Sequence, residues 1–159
     1  MIVFAVASEL ELRVLRRMID VGCFEVYGSK PFQFGSMQGR DVCLVTTGAG
    51  RKNAAAAARK ICSLVQPDLV IIAGAAGALD PALELGAAVV VEAVVRENTV
   101  EEIACSEEEA SQALTVLRSA GIKAVAGRCC QANTFVHRSA DKRSLYEKTG
   151  APVVDMESA

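Results

Sequence analysis

Residues 67–95, PDLVIIAGAAGALDPALELGAAVVVEAVV, decide the fold. The run Leu69-Val70-Ile71-Ile72-Ala73 has no polar interruption, the pattern of a strand covered on both faces. Gly74-Ala75-Ala76-Gly77-Ala78 follows it with almost no side-chain bulk. A long second strand is predicted over about 87–95. Chain that leaves a buried strand with so little bulk lets a ligand approach backbone N–H groups. The same residues would serve as a tight turn with no ligand, and glycine motifs alone do not separate the two.

Upstream, residues 2–7 read as a short apolar strand. Ser8 is placed to cap the next helix, and Glu11, three residues on, completes a capping box. That helix is expected over 9–20, with Val14, Leu15 and Met18 on one face and Glu11 at the start of the same stripe. A carboxylate therefore stands where the first strand ends, either as a cap or as a functional group. Residues 24–27 and 32–37 read as strands around a turn at 28–31, and Gln38-Gly39-Arg40 turns the chain into a strand over 41–47. This part is expected to be antiparallel. Gly48-Ala49-Gly50 then opens an alanine-rich helix over 51–65, packed through Ala54, Ala57, Ala58, Ile61 and Val65. Strand, glycine turn and helix N-terminus form a geometry that binds anions or polar groups. The motif is neither GxxxxGK[ST] nor GxGxxG. Close packing of small alanines on a sheet explains it equally well.

Downstream, Asp80-Pro81 breaks the chain after the glycine loop, and residues 101–105 form a further predicted strand. Ser106-Glu107-Glu108-Glu109 reads as a capping box for a helix ending at Gly121, so these glutamates carry no predicted chemistry. A strand over 122–130 runs out into Gln131-Ala132-Asn133-Thr134-Phe135-Val136. Ser139 is expected to cap a helix through Lys148, closed by Thr149-Gly150. Residues 152–155 form a last strand, which delivers the acidic pair Asp155 and Glu157.

Composition narrows the function. A chain of 159 residues with 52% apolar and 4% aromatic residues suits one domain with an aliphatic core, helices packed on a sheet. A net charge of −2 without a long basic run gives no reason to expect nucleic acid as a partner. No apolar run reaches the ~18 residues of a membrane span. No secretory leader is visible at the N-terminus. The six cysteines are dispersed without a CxxC pair, and they read as buried, reduced thiols of a cytoplasmic protein, Cys43 and Cys62 in apolar settings. The single histidine, His137, lacks a ligand cluster, so neither a metal nor another cofactor is expected.

A β-rich start followed by alternating strands and helices gives an α/β fold: a three-layer α/β/α sandwich around a central mixed sheet. Ligands of such sheets sit beyond the carboxyl ends of the strands. Glu11, the 48–50 turn, the 74–78 loop and the Asp155/Glu157 pair all map to strand exits.

The segments ASELELRVL, TGAGRKNAA, PDLVIIAGAAGALDPALELG, ANTFV and VVDMESA span the whole chain. In that order and at about that spacing they resemble the nucleoside phosphorylase superfamily. The nearest likeness is to the 5′-methylthioadenosine/S-adenosylhomocysteine nucleosidases. TGAPVVDMESA and GALDPALELG also look like the phosphorylase-like enzymes of hopanoid synthesis. The resemblance implies a phosphorylase/hydrolase-like fold, residues 1–159 as a single domain of that type, and cleavage of a purine nucleoside's N-glycosidic bond by water, releasing adenine. It makes Glu11 the residue that positions the attacking water and Glu157 the acceptor of the ribose hydroxyls. Ala76 and Gly77 would line the purine and ribose pocket, and Met156 would lie against the ribose. Phe135 would stack near the purine, with the Val136 backbone at the base edge. Arg51 is the one obvious phosphate-binding candidate, so phosphorolysis is the alternative. The pattern also departs from the family. Ala75 stands where the nucleosidases carry serine or threonine, and Asp155 stands in place of glutamate. The family's later helix and strand, with an aspartate that protonates the purine, lie beyond the motif that ends at Ala159. Loss of such an acid typically costs ~10²–10⁴-fold, so a nucleoside-binding relative with impaired catalysis is a further alternative. Family habit also implies a homo-oligomer.

Overall fold

The computed structural model describes residues 1–27, 30–99 and 101–159. Gly28 and Ser29, half of the turn expected over 28–31, lie outside the described residues. The chain divides into two compact units, residues Met1–Ala75 and Ala76–Ala159, each built on a five-stranded mixed sheet with flanking helices. This is the α/β architecture expected from the sequence, with the strands shared between two sheets.

The first unit runs β1 (Ile2–Val6), α1 (Glu9–Arg16), β2 (Asp20–Tyr27), β3 (Lys30–Met37), β4 (Arg40–Thr46), α2 (Arg51–Leu64) and β5 (Leu69–Ile72). Its sheet order is β2-β3-β4-β1-β5. The β2, β3 and β4 strands pair antiparallel, and β1 pairs in parallel with both β4 and β5. Gln38 and Gly39, both at positive φ (50° and 77°), make the two-residue turn between β3 and β4. That turn matches the twist of the strands it joins.

Strand alternation makes this unit three-layered. Val3, Ala5, Cys43 and Val45 face one side and pack with Phe32 against Ala57 and Ile61 of α2. Val6, Val42 and Leu44 face the other side and pack against Leu12 of α1 and Ile19. The α1 helix ends at Arg16, short of the expected 20, because Asp20 already belongs to β2. Its packed stripe also differs from the expected one. Leu12 is fully buried and Leu15 half-buried, whereas Val14 is 64% exposed and Met18 lies exposed beyond the helix. The β5 strand was expected to be covered on both faces, but Ile72 is 58% exposed. Among the described residues it pairs only with β1 and so forms an edge of its sheet.

The second unit runs β6 (Gly77–Ala78), β7 (Ala88–Arg96), β8 (Glu102–Ala104), α3 (Glu107–Ser119), β9 (Ala124–Gln131), α4 (Ser139–Thr149) and β10 (Val153–Asp155), in sheet order β6-β10-β9-β7-β8. The β7, β9 and β10 strands are parallel, and short β6 and β8 close the edges antiparallel. Val95, Cys130 and Val154 pack with Leu79 and Ala151 beneath Leu145 and Tyr146 of α4. Gly150 at φ 62° closes α4, its N–H donating to the Tyr146 carbonyl at 2.8 Å. Two expected caps differ in detail. Arg138, not Ser139, is the N-cap of α4. At α3 the Ser106 hydroxyl donates to the Glu109 carboxylate, and its side chain makes no bond to the helix N–H groups.

The cysteines also correct an expectation. Cys43, Cys129 and Cys130 are buried, but Cys23, Cys62 and Cys105 are exposed. Cys62 sits on the solvent side of α2, one residue past the buried Ile61. Among the described residues no helix is long and apolar enough to cross a membrane.

Leu12→Ala is expected to lower unfolding stability by about 2–5 kcal/mol in urea titrations. Val14→Ala, two residues away, should stay within about 0.5 kcal/mol.

Candidate functional site

Parallel pairing fixes where chemistry can gather. In the first unit β4, β1 and β5 run side by side in one direction, with Val6 opposite Thr46 and Ala5 opposite Ile72. Their carboxyl ends therefore form one edge. The Thr47 N–H donates to the Val6 carbonyl at 2.8 Å, and the Ala73 N–H to the Ala5 carbonyl at 3.1 Å, so the three exits stay in register. Glu11, the 48–50 turn and Gly74-Ala75 all leave from this edge, as their strand-exit positions predicted.

Ser8 and Glu11 form the expected capping box, with the Glu11 N–H directed at the Ser8 hydroxyl. The Glu11 carboxylate does more than cap. Its Oε2 accepts from the Ser8 N–H and the Ser8 hydroxyl, both at 2.9 Å. Its Oε1 accepts from the Ala75 N–H at 2.9 Å, across 64 residues of sequence. Gly74 permits that approach: a Cβ there would lie 2.7 Å from Oε1 and 3.2 Å from the carboxyl carbon. The absence of side-chain bulk in the 74–78 loop thus has one concrete use, the reach of a backbone N–H to a carboxylate. Glu9, in the same helical turn, accepts from the Thr46 hydroxyl at 3.2 Å and ties α1 to the end of β4.

The 48–50 turn has two glycines at positive φ, Gly48 at 81° and Gly50 at 89°. Gly50 is the N-cap of α2, and the Asn53 side chain donates back to the Ala49 carbonyl at 2.7 Å. Lys30 reaches the same turn and donates to the Thr47 carbonyl. Arg51 is exposed at the first position of α2.

In the second unit the carboxyl ends of β10, β9 and β7 likewise share one edge. Phe135 and Val136 follow β9, and Met156 and Glu157 follow β10. Gly77 pairs with Val154 one residue before the end of β10, and a Cβ on it would meet the Val154 side chain at 3.1 Å. Ala76 is exposed just before β6. Phe135 is 77% exposed, its ring lying nearly parallel to His137 with centroids 6.1 Å apart. Val136 is drawn inward against the α4 core. Glu157 accepts from the Met156 N–H at 3.1 Å. Asp155 is engaged by Ser158, through both its N–H and its hydroxyl. Of the acidic pair, Asp155 thus closes the strand exit locally.

Glu97 and Asn133 were not singled out from the sequence. Glu97 follows β7 and accepts from the Asn133 side chain at 2.6 Å and the Asn98 side chain at 3.2 Å. Its N–H donates to the Gln131 carbonyl at 3.1 Å. The signal was present: a polar Arg-Glu-Asn directly after a run of valines, at a strand exit like the others. The sequence pattern likewise places Thr47 in the strand, but its hydroxyl donates to the Val6 carbonyl at the end of β1 at 3.2 Å.

The phosphorylase superfamily model matches residues 1–159, and the chain belongs to that family. It is 30% identical to the 5′-methylthioadenosine/S-adenosylhomocysteine nucleosidase of Haemophilus ducreyi over 99% of this chain and 74% of that one. It is 28% identical to the nucleosidase of the same name from Glaesserella parasuis, over 86% of this chain and 65% of the relative. Among solved structures, the Neisseria meningitidis nucleosidase in complex with methylthio-immucillin-A matches with a TM-score of 0.93 at 22% identity, over 99% of this chain and 75% of that one. Futalosine hydrolase of Helicobacter pylori matches with a TM-score of 0.93 at 20% identity, over the same shares. These structural likenesses establish the fold.

Burial divides the six thiols into two groups. Burial pushes the Cys43 thiol up to about 12. Burial, followed by the nearby Asp155 charge, raises Cys129 as well. A disulfide-exchange reagent at pH 8 is expected to label Cys23 and Cys62 quickly and Cys105, itself raised by burial, more slowly. Cys43, Cys129 and Cys130 should react only after denaturation, which a thiol count before and after guanidinium measures.

Proposed function

We propose that the chain hydrolyses the N-glycosidic bond of a purine nucleoside of the methylthioadenosine or adenosylhomocysteine type and releases adenine. The observation that carries this reading is the Glu11 carboxylate, fixed at a strand-exit edge by Ser8 and the Ala75 N–H. Family membership and nucleosidase relatives support the same reaction class. The reading takes residues 1–159 as one functional domain and takes the acting form to be a homo-oligomer in the cytoplasm.

In this reading Glu11 holds a water and accepts its proton as the water oxygen bonds to the anomeric carbon. The bond from that carbon to the purine nitrogen breaks, its electron pair leaves with the base, the base takes up a proton from solvent water, and Glu11 returns its proton to solvent. The ribosyl group becomes oxocarbenium-like on the way, and a fixed carboxylate stabilises the developing positive charge. Glu157 accepts from the ribose hydroxyls, Met156 lies against the sugar, and Ala76 and Gly77 line the pocket. Phe135 offers an open ring face for the purine, and the Val136 backbone meets the base edge. Open ring area of this kind gains from stacking on a flat heterocycle. No step calls for a metal or another cofactor.

Adenine release from methylthioadenosine in phosphate-free buffer is the test. Glu11→Gln should lower kcat by ~10²–10⁴-fold. Strict dependence on added phosphate would overturn hydrolysis in favour of phosphorolysis at the Arg51 turn. Glu157→Gln should lower kcat/KM by roughly 10- to 100-fold, the loss of one hydrogen bond to a charged group.

A further inference from the structure

We propose that Ser8 is a positioning residue that assigns the water-holding task to one oxygen of Glu11. The inference rests on Glu11 being the water-activating carboxylate. A carboxylate has about four acceptor positions, two on each oxygen. At Glu11, Oε2 uses both on Ser8, from the backbone N–H and the hydroxyl, each at 2.9 Å. Oε1 uses one on the Ala75 N–H at 2.9 Å. Among the described residues one acceptor position is left, and it belongs to Oε1.

The Ser8 hydroxyl is therefore more than a helix cap. An ordinary capping box needs the glutamate only to reach the N-cap N–H. Here the hydroxyl donates to the same oxygen and fills its second position. Rotation of the carboxyl group would break bonds to Ser8 and to Ala75 together, so the group is locked about its last torsion. Gly74 closes the arrangement from the other side, since any Cβ would crowd Oε1 at 2.7 Å. Water entering the site meets one open acceptor in a fixed direction, which is the requirement for a near-attack geometry.

The test compares Ser8→Ala, Ser8→Thr and the parent chain with two readouts. The first is amide hydrogen exchange of Ala75, followed by NMR, which reports whether the carboxylate still holds that N–H. The second is the separation of kcat from KM for adenine release. Ser8→Ala should speed Ala75 exchange about tenfold or more and lower kcat about 10- to 100-fold with KM little changed, since misplacement of a reacting group acts on the chemical step. Ser8→Thr keeps the hydroxyl and should restore both. A Ser8→Ala protein that loses thermal stability while Ala75 exchange, kcat and KM stay at parent values would overturn the proposal and leave Ser8 a simple cap. If the parent chain releases no adenine, the nucleosidase reading fails, and Ala75 exchange alone still decides whether Ser8 locks Glu11.

Discussion

Much of the structure depends on the double parallel pairing of β1. One five-residue strand is hydrogen-bonded to β4 on one side and β5 on the other, all three pointing the same way. Side-chain alternation then sends Val3 and Ala5 to α2 and Val6 to α1, so the two-faced core follows from the same pairing. The pairing also brings residues 8–11, 47–50 and 73–75 to a single edge. Hydrophobic burial drives the assembly, but it is the direction of the hydrogen-bonded ladder that selects where polar groups collect.

The polar groups at that edge illustrate how one side chain serves two levels of structure. Glu11 satisfies an orphan N–H at a helix start, a local demand that any capping box meets. Its second oxygen is bonded to a backbone N–H from the far end of the unit. The helix cap and the proposed catalytic carboxylate share atoms. A substitution at residue 8 or 74 would be felt first by the carboxylate and only secondarily by the fold.

Sequence patterns carried the elements well where local rules govern. The Ser8 capping box, the glycine close of α4 and the antiparallel β2–β4 region follow from residue chemistry within a few positions. They were harder to read where distant pairing decides. Leu69-Val70-Ile71-Ile72 has the composition of a central strand, yet composition does not reveal which neighbours a strand finds, and β5 has one. Val14 and Met18 fit a helical stripe, but the contact with the sheet is centred on Leu12, because β2 begins at Asp20 and cuts the helix short. At the site, Glu11 was legible as a strand-exit carboxylate, while its bond to Ala75 was not, since no pattern links residues 64 apart. Glu97 stands at a strand exit that the sequence marks, but its pairing with Asn133 follows only from the fold, which sets the two side by side.

The Glu97–Asn133 contact has a consequence for binding. It staples the loop after β9 to the loop after β7, two residues before Phe135. Lys148 adds a second tie, from α4 to the Glu97 carbonyl. Just past the aromatic ring, half-buried Val136 packs against the core. The ring is thus carried on a span of two residues, Thr134 and Phe135, between fixed points. A ligand stacking there, as proposed, would meet a segment tied to its surroundings on both sides. Such ties would lower the conformational entropy surrendered on docking, so that surface match would weigh more in affinity than the ordering of a loop.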